Sequence, residues 1–213
     1  DAAENTATTV AGYQYYEPEN GKRVTGWRTI EGVEGISAEG ELYNFYFKNG
    51  KPYHADNGLQ LFTVESKKYA FNTKGEMQTG LKVVNLEDGE IANFYFAEDG
   101  VMRTGKQVIY NEDLDENQTW FFYTDGSRKG QGFHGIRDNT LYEYGLRKDA
   151  DSDLRLAPMN YDGNQYLVNT SGSIQKASSS SKSATKPELG NGFKDYKDSN
   201  GKTWVVDVNG IIQ

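Results

Sequence analysis

Short runs of aromatic and aliphatic residues that alternate with polar ones recur along most of this chain. The run Phe94-Tyr-Phe96 is typical, and a glycine preceded by Asp follows it at Gly100. Alternation with a period of two places successive side chains on opposite faces of a β-strand. An Asn-Gly or Asp-Gly pair next to such a run favours a tight turn, because these residues adopt positive φ readily. The pattern therefore predicts a series of β-hairpins.

The predicted hairpin unit repeats in phase. Segments 69–80 and 94–105 both carry an aromatic strand, a turn glycine, a methionine two residues later and a second glycine five residues after the first. The period is about 25 residues in this part of the chain, and each unit is expected to be a hairpin of roughly ten residues plus a connection. A degenerate copy occupies 141–147. The turn glycines of the aligned copies are Gly21, Gly50, Gly75, Gly100, Gly126, Gly172 and Gly210.

One face of each aromatic strand is predicted to form the core. Its residues stand six and four positions before a turn glycine: Tyr69 and Phe71, Phe94 and Phe96, Trp120 and Phe122, Tyr166 and Val168, Trp204 and Val206. A lone two-stranded hairpin is marginally stable in water, so these faces must be buried by stacking of the units. We therefore expect an all-β fold, an elongated β-solenoid of about seven or eight stacked β-hairpin repeats, most regular from Gly21 to Gly132.

Composition narrows the possible functions. The chain has 15 Tyr, 10 Phe and 3 Trp beside 24 Gly, so aromatic side chains must supply much of the buried area. A net charge of -8 repels a polyphosphate backbone, which argues against a nucleic-acid partner. With no Cys, the chain can form neither a disulfide nor a thiolate metal site.

The sequence contains no apolar run long enough to span a membrane and no visible signal peptide. It begins at Asp1 in a polar stretch, which is typical of a processed or truncated product. We divide the chain into a polar N-terminal segment (1–12), hairpin repeats (13–176), a Ser-rich linker (177–187) and a terminal hairpin repeat (188–213). The linker is expected to be flexible because of its Ser, Ala and Lys content.

Several in-phase motifs resemble a known family. Gly26-Trp27, Phe45-Tyr46-Phe47 with Asn49-Gly50, and the Gly-x-Met-x-Thr-Gly motifs at Gly75 and Gly100 are similar to the cell-wall-binding repeats of Gram-positive surface proteins. That superfamily includes choline-binding modules, glucan-binding domains and the repeats of clostridial toxins. The likeness covers 13–176 and 190–213. It implies a hairpin solenoid with ligands between consecutive hairpins and a location that is secreted or at the Gram-positive cell surface. Such repeats commonly occur beside another domain in the resembled family, and the sequence leaves open whether a catalytic or effector domain accompanies these repeats.

The chain departs from the choline-binding pattern of that family. The resemblance implies cages of aromatic side chains around a quaternary ammonium group, which is held by cation–π attraction. The Gly-Trp pair of the pattern is present only at Gly26-Trp27. Leu81 and Lys106 occupy the position of this Trp in later copies. A second aromatic position of the pattern is filled by Lys68, Asn93 and Thr119. These replacements favour a glycan over choline as the ligand.

Four aromatic residues are the candidates for ligand binding: Trp27, Tyr46, Tyr95 and Phe121. Tyr46, Tyr95 and Phe121 lie between the core positions of their strands and so face away from the predicted core. Packing between hairpins is the alternative role of each residue, because packing and sugar stacking both select aromatic side chains. The function predicted from this set is binding of a cell-wall polymer or other glycan, in anchoring or adhesion.

Catalytic and metal-binding patterns are weak. Asp149, Asp151 and Asp153 have the spacing of a calcium loop, but its glycine and final glutamate are replaced by Leu154 and Asn160. His54 and His134 lie outside any recognisable nucleophile or metal motif. We therefore predict a non-catalytic protein with no cofactor and no metal. Two alternatives stay open: a structural spacer or adhesive stalk with no small ligand, and a module that binds the choline of teichoic acid.

Overall fold

The computed structural model describes residues 10–31 and 40–213, so residues 1–9 of the predicted N-terminal segment lie outside the described residues. Within these ranges the fold is all-β, and the single helix is the short 3-10 turn Pro187–Leu189. None of the described helical residues forms a segment long and apolar enough to cross a membrane. The prediction of an all-β chain is confirmed.

Sixteen strands make up the described chain. They are β1 (Gly26–Glu31), β2 (Leu42–Lys48), β3 (Lys51–Pro52), β4 (Leu59–Val64), β5 (Lys67–Asn72), β6 (Gly80–Asn85), β7 (Ile91–Phe96), β8 (Gly105–Asn111), β9 (Glu116–Phe122), β10 (Gly135–Arg137), β11 (Thr140–Glu143), β12 (Leu146–Arg147), β13 (Leu156–Tyr161), β14 (Asn164–Asn169), β15 (Lys194–Lys197) and β16 (Thr203–Val206).

Neighbouring strands pair in antiparallel fashion along the chain. The pairs are β1–β2, β4–β5, β6–β7, β8–β9, β13–β14 and β15–β16. Strand β3 extends the first pair, and β10, β11 and β12 join the sheet of β9. The predicted hairpin-like pairing of sequential strands is therefore present, and the degenerate copy at 141–147 forms the hairpin β11–β12.

Two compact units divide the described residues. The first unit contains residues up to 105 together with 122–131, and the second contains 106–121 and 132–213. The first unit holds the aromatic strands β2, β5 and β7, and the second holds most of β9 together with β10–β16. The Ser-rich segment and the hairpin after it belong to the second unit, and the domain boundaries derived from composition stay predictions.

The turn glycines connect the strands differently from the prediction. After Gly75, the chain returns to β5 through one isolated bridge, Phe71 to Met77, instead of a long second strand. The same single bridge recurs in three other copies, as Phe96 to Met102, Val168 to Ile174 and Val206 to Ile212. The long pairing of β5 is with β4, on the other side of the strand. The predicted turns are present, and the turn at Asn49 and Gly50 lies at the centre of the short hairpin β2–β3. In the four later copies the second arm of the hairpin is a single bridge instead of a strand.

A side chain three residues before the glycine shapes three of these four turns, and the fourth turn, at Gly100, has Ala97 at that position. The Oδ1 atom of Asn72 accepts hydrogen bonds from the backbone amides of Lys74 and Glu76, at 3.0 and 2.9 Å. Asn169 and Asp207 accept the equivalent pairs in their own copies. Such side-chain acceptors replace backbone partners and tighten the chain locally. The chain therefore turns sharply after the aromatic strand and cannot continue as a regular second strand.

The predicted core row is largely confirmed. Eight of its ten residues are buried, while Tyr166 and Trp204 are half-buried. The opposite face of these strands was expected to point away from the core, and part of it is buried. Ala70, Leu167 and Val205 on that face are also buried, so β5, β14 and β16 are covered on both sides at these positions.

A recurring contact joins consecutive repeats. In the first unit, a Cβ atom built on Gly100 would lie 2.2 Å from Sδ of Met77, and one on Gly130 would lie 2.3 Å from Sδ of Met102. The backbone amide of Met77 donates to the carbonyl oxygen of Asn44 at 2.8 Å. Each methionine of the Gly-x-Met motif thus packs over a later glycine turn, in space that a side chain would fill.

The same contact occurs in the second unit with isoleucine in place of methionine. A Cβ atom on Gly210 would lie 2.3 Å from Cγ2 of Ile174. The amide of Ile212 donates to the carbonyl oxygen of Gln165 at 2.8 Å. The last hairpin therefore packs on the hairpin β13–β14 through the same contact of a glycine turn with an apolar side chain that joins the repeats of the first unit.

The Ser-rich segment is hydrogen-bonded to β15. The hydroxyl of Ser183, which is buried, donates to the carboxylate of Asp195. The amides of Ala184 and Thr185 donate to the other oxygen of this carboxylate, at 3.1 and 3.0 Å. The hydrogen bond from Ser183 lowers the pKa of Asp195 below its ordinary value, and those from Thr185 and Ala184 add to the effect. One carboxylate thus holds this part of the segment against the last hairpin.

The contact of Gly100 with Met77 predicts a specific cost for a methyl group. We expect Gly100→Ala to lower the free energy of unfolding by about 2–3 kcal/mol, because it combines strain at positive φ with overpacking. The matched control is Gly89→Ala, where φ is also positive at 83° and no atom lies within 4 Å of the added methyl. The control should cost about 1 kcal/mol, from backbone strain alone. Urea denaturation compares the two variants, and equal losses would contradict the packing role of Met77.

The lowered pKa of Asp195 predicts an acid-sensitive attachment of the Ser-rich segment. A carboxyl group with a lowered pKa in the folded state stabilises the fold above its unfolded pKa, and this contribution is lost as the pH falls below about 4. We expect Asp195→Asn to flatten the decrease of the melting temperature between about pH 5 and pH 3. The NMR amide signals of Ala184 and Thr185 in the wild type should titrate below the ordinary aspartate range. Titration of these signals at the ordinary value would contradict the assignment.

Candidate functional site

An aromatic cluster, here called the Trp27 cluster, lies in the first unit. It consists of Trp27, Tyr46, Tyr53, Phe62, Tyr69 and Phe71. Trp27 and Tyr46 are directly opposite each other in the pairing of β1 with β2, and their ring centroids are 5.2 Å apart in an edge-to-face arrangement. Trp27 also meets Tyr69 at 4.8 Å. Antiparallel pairing of β1 with β2 therefore brings Trp27 and Tyr46, two of the four candidate residues, together, and Trp27 also contacts the ring of Tyr69.

The cluster continues from Tyr46 to Tyr53, which follows β3, and to Phe62 on β4. The ring of Tyr46 lies 5.0 Å from Tyr53, which stacks on Phe62 at 4.7 Å with an interplanar angle of 20°. Phe62 in turn meets the fully buried ring of Phe71 at 5.6 Å. Trp27, Tyr46, Tyr53 and Phe62 are half-buried. The cluster thus consists of four partly exposed rings over two buried ones, an arrangement that fixes ring orientation while leaving ring surface open to solvent.

Tyr53 and Phe62 were missed by the sequence analysis. Phe62 lies opposite Tyr69 in the pairing of β4 with β5. That register is set by a turn at Glu65 and Ser66, both of which have positive φ without being glycine. The two-residue spacing between the apolar runs was the available signal, but the residues at this turn are not those that mark a tight hairpin.

Tyr95 lies on β7, opposite Leu81 of β6. Its ring is half-buried and stacks on Phe122 at 6.4 Å with an angle of 20°. The backbone carbonyl of Tyr95 accepts the amide of Arg103 at 2.8 Å, in the turn that follows the strand. Tyr95 thus has an aromatic partner inside the first unit, and its role in ligand binding stays a prediction.

Phe121 lies in the second unit and is surrounded by other side chains. Its ring meets Phe133 at 5.8 Å and Tyr142 at 5.7 Å. The guanidinium carbon of Arg137 lies 4.6 Å from the ring centroid. A cation over an aromatic face is attracted by the ring quadrupole. Arg137 therefore occupies part of the surface on which a sugar would have to stack at Phe121.

Other aromatic faces also carry a cation from the chain itself. Lys202 Nζ lies 3.5 Å from the ring centroid of Trp204, and Lys194 Nζ lies 4.6 Å from that of Tyr196. These contacts use the same attraction that a quaternary ammonium ligand would use. An external cation would have to displace a tethered one at these rings.

A polar groove of about 540 Å³ lies in the first unit. Its neutral polar side chains come from Gln60, Thr63, Asn85, Ser127 and Gln131, and Leu61 and Phe94 supply apolar surface. Lys68, at a position that carries an aromatic residue in the resembled pattern, also lines this groove. Glu87, Asp88 and Lys129 add charged groups to the lining. The amide, hydroxyl and charged groups together can donate and accept hydrogen bonds, which suits a ligand rich in hydroxyl groups.

The acidic positions at 149–153 do not form a metal centre. Asp149 makes a bidentate ion pair with Arg147, with both nitrogen–oxygen distances at 2.6 Å. Across residues 10–31 and 40–213, no group of three or more His, Asp or Glu side chains is arranged to hold a metal ion. His134 stacks on Tyr144 at 4.5 Å, and His54 Nδ1 lies 3.1 Å from the carbonyl oxygen of Ala55.

Comparison with known proteins gives weak structural likenesses to solved structures, including the following three. One is choline-binding protein F from Streptococcus pneumoniae, crystallised in the presence of a peptidoglycan analogue (17% identity, TM-score 0.47, covering 95% of this chain and 53% of that one). Another is CbpJ from Streptococcus pneumoniae (16%, TM-score 0.31, 97% and 86%). The third is truncated alternansucrase from Leuconostoc mesenteroides (18%, TM-score 0.32, 90% and 15%).

The chain spans about half the length of choline-binding protein F. No family model and no curated protein sequence matches it. Since each of these TM-scores is below 0.5, the likenesses decide neither the ligand nor the activity of this chain. A functional assignment has to come from the aromatic rings and grooves themselves.

Proposed function

We propose that this chain is a non-catalytic protein that binds a cell-wall polymer or another glycan, in anchoring or adhesion at a Gram-positive cell surface. The observation that carries this proposal is the Trp27 cluster, in which partly exposed rings are fixed over buried ones. The apolar C–H faces of sugars pack on aromatic rings, and a ring with few free torsions loses little entropy on binding. The ligand-binding residues are Trp27, Tyr46, Tyr95 and Phe121, as the sequence predicts, with Tyr53 and Phe62 added to the first of these surfaces.

The polar groove of the first unit supports a glycan over a hydrophobic ligand. Binding sites combine apolar surface with a few polar groups that fix orientation. In this groove the side-chain amides of Gln60 and Gln131 make no hydrogen bond within the described residues. They are therefore available to the hydroxyl groups of a sugar chain.

Several weak sites would act together on a polymer. In this proposal the hairpin repeats stack into an elongated solenoid, so that sites on successive repeats meet successive segments of one glycan chain. Binding of a second segment is then intramolecular, which raises the overall affinity above that of any single site by up to a factor of about 10²–10⁴. Weak stacking at each aromatic surface is sufficient in such an array.

The structural-spacer alternative rests on the burial of both strand faces. Ala70, Leu167 and Val205 are buried on the face that the sequence assigned to ligands. Arg137 covers part of Phe121 in the same way. If all aromatic contacts serve packing, the chain is a stalk with no small ligand, and glycan binding is absent.

Polymer retention tests the proposal directly. Purified protein is incubated with insoluble Gram-positive cell walls and with insoluble glucan, and the bound fraction is measured after sedimentation. We expect Tyr95→Ala to reduce the apparent affinity by about 10-fold, because one stacking surface is lost from a multivalent array. The matched control is Tyr110→Ala, which removes an exposed tyrosine of β8 outside the proposed surfaces.

The melting temperature of each variant separates loss of binding from loss of fold. Equal retention of Tyr95→Ala and Tyr110→Ala would show that Tyr95 serves packing. If the wild-type protein binds neither material, the spacer alternative is favoured over the glycan proposal.

Choline distinguishes the two ligand classes in one experiment. A quaternary ammonium group needs several open aromatic faces, each worth roughly 0.5–2 kcal/mol. Leu81 and Lys106 replace aromatic residues of the resembled pattern, and Lys202 and Arg137 cover faces that remain. We therefore expect at most one weak choline site, near Trp27, and no retention on a choline-substituted resin. Firm retention that free choline reverses would contradict this assignment.

A further inference from the structure

A pocket of about 240 Å³ lies in the second unit, between the strands β10–β12 and strand β13. Its lining includes His134, Tyr142, Glu143, Lys148, Pro158 and Tyr161. We propose that this pocket binds a single pyranose ring of a neutral glycan, as an additional site of the glycan-binding function proposed above. None of its residues belongs to the four candidates from the sequence.

Two tyrosines line the pocket, one of them buried and the other partly exposed. Tyr142 is 7% exposed, and burial raises the pKa of its phenol, so this residue is neutral at physiological pH. Tyr161 is half-buried and meets the ring of His134 edge-on at 5.4 Å. Tyr161 thus offers apolar ring surface to the C–H face of a sugar, whereas Tyr142 packs against Phe121 and Phe133 beneath the surface.

A charged pair lies at the polar edge of the pocket. Lys148 Nζ donates to Glu143 Oε2 at 2.9 Å. This hydrogen bond lowers the pKa of Glu143, which keeps the carboxylate ionised at neutral pH. The two groups present an acceptor and a donor side by side. Neighbouring hydroxyl groups of a pyranose ring are about one hydrogen-bond length apart, so one can donate to the carboxylate while the other accepts from the ammonium.

The walls are held in place before any ligand arrives. His134 stacks on Tyr144 at 4.5 Å with an interplanar angle of 17°. Gly135 has a φ of 141°, and a Cβ atom there would lie 3.2 Å from the hydroxyl oxygen of Tyr161. The chain therefore approaches Tyr161 closely at this point. A preformed site loses less entropy on binding than one that must be ordered.

The size and charge of the pocket select the ligand class. Sites for drug-sized ligands have volumes of about 300–1,000 Å³, so this pocket accommodates one small ring instead of a longer segment. A quaternary ammonium group is disfavoured, because Glu143 is already paired with Lys148 and the ammonium group of that lysine repels a second cation. A neutral ring with adjacent hydroxyl groups satisfies both members of the pair.

NMR titration of the intact chain with methyl β-D-glucopyranoside, N-acetylglucosamine and choline chloride tests the proposal. We expect at least one of the two sugars to shift the amide signals of residues 134–148 and 158–161, with a dissociation constant in the millimolar range. Glu143→Gln and Tyr161→Ala should each weaken this binding about fivefold or more. Tyr110→Ala is the matched control, and it should bind as the wild type does.

If Tyr161→Ala lowers the melting temperature, Glu143→Gln still tests the site, because it changes only a surface group. The proposal is overturned if neither sugar shifts these signals at about 50 mM, or if choline alone shifts them. It is equally overturned if the sugar shifts persist unchanged in both pocket variants. Retention on cell walls without pocket shifts would refute this site alone, whereas pocket shifts without wall retention would support the site and refute the polymer function.

Discussion

A turn with no side chain at its tightest point is the constraint on which the repeats depend. Gly100 has positive φ and lies under Met77 of the preceding copy, and Gly210 has the same relation to Ile174. Glycine is required there for two independent reasons, since the backbone conformation disfavours a Cβ atom and a neighbouring side chain fills its place. The Gly-x-Met motif is therefore one contact that recurs in two consecutive copies of the first unit, and it joins those copies to each other.

This contact between a glycine turn and a side chain of the preceding copy determines where aromatic rings remain open to a ligand. The strand before each turn is covered on one face by its own unit, and Ala70 shows that the other face is covered as well in β5. The Trp27 cluster keeps open ring surface, because four of its rings are only half-buried. Trp27 contacts the buried rings of Tyr69 and Phe71 at 4.8 and 6.0 Å, and Tyr46 packs edge-on against Trp27.

Local signals in the sequence predicted the turns and the core row correctly, because a period of two and a glycine with positive φ are properties of a few adjacent residues. Strand pairing was predicted less well, since β4 and β5 are joined at Glu65 and Ser66, where neither residue marks a tight turn. The neighbours of the candidate residues were predicted incompletely for the same reason. Trp27 and Tyr46 were recognised individually, whereas their contact with Tyr53 depends on the registers of several strands, which no local pattern contains.

The positions of the charged side chains affect which class of ligand several aromatic rings of the chain can bind. The chain has a net charge of -8, which attracts cations from a distance, yet cations of its own lie over Phe121, Trp204 and Tyr196. A tethered cation has a high effective concentration at its ring, so a free cation in solution competes poorly for that face. A neutral sugar does not depend on the ring quadrupole alone, because it also packs C–H groups and exchanges hydrogen bonds with nearby donors and acceptors. In the proposed function, rings that are partly covered by lysine and arginine would therefore disfavour quaternary ammonium groups more strongly than glycans.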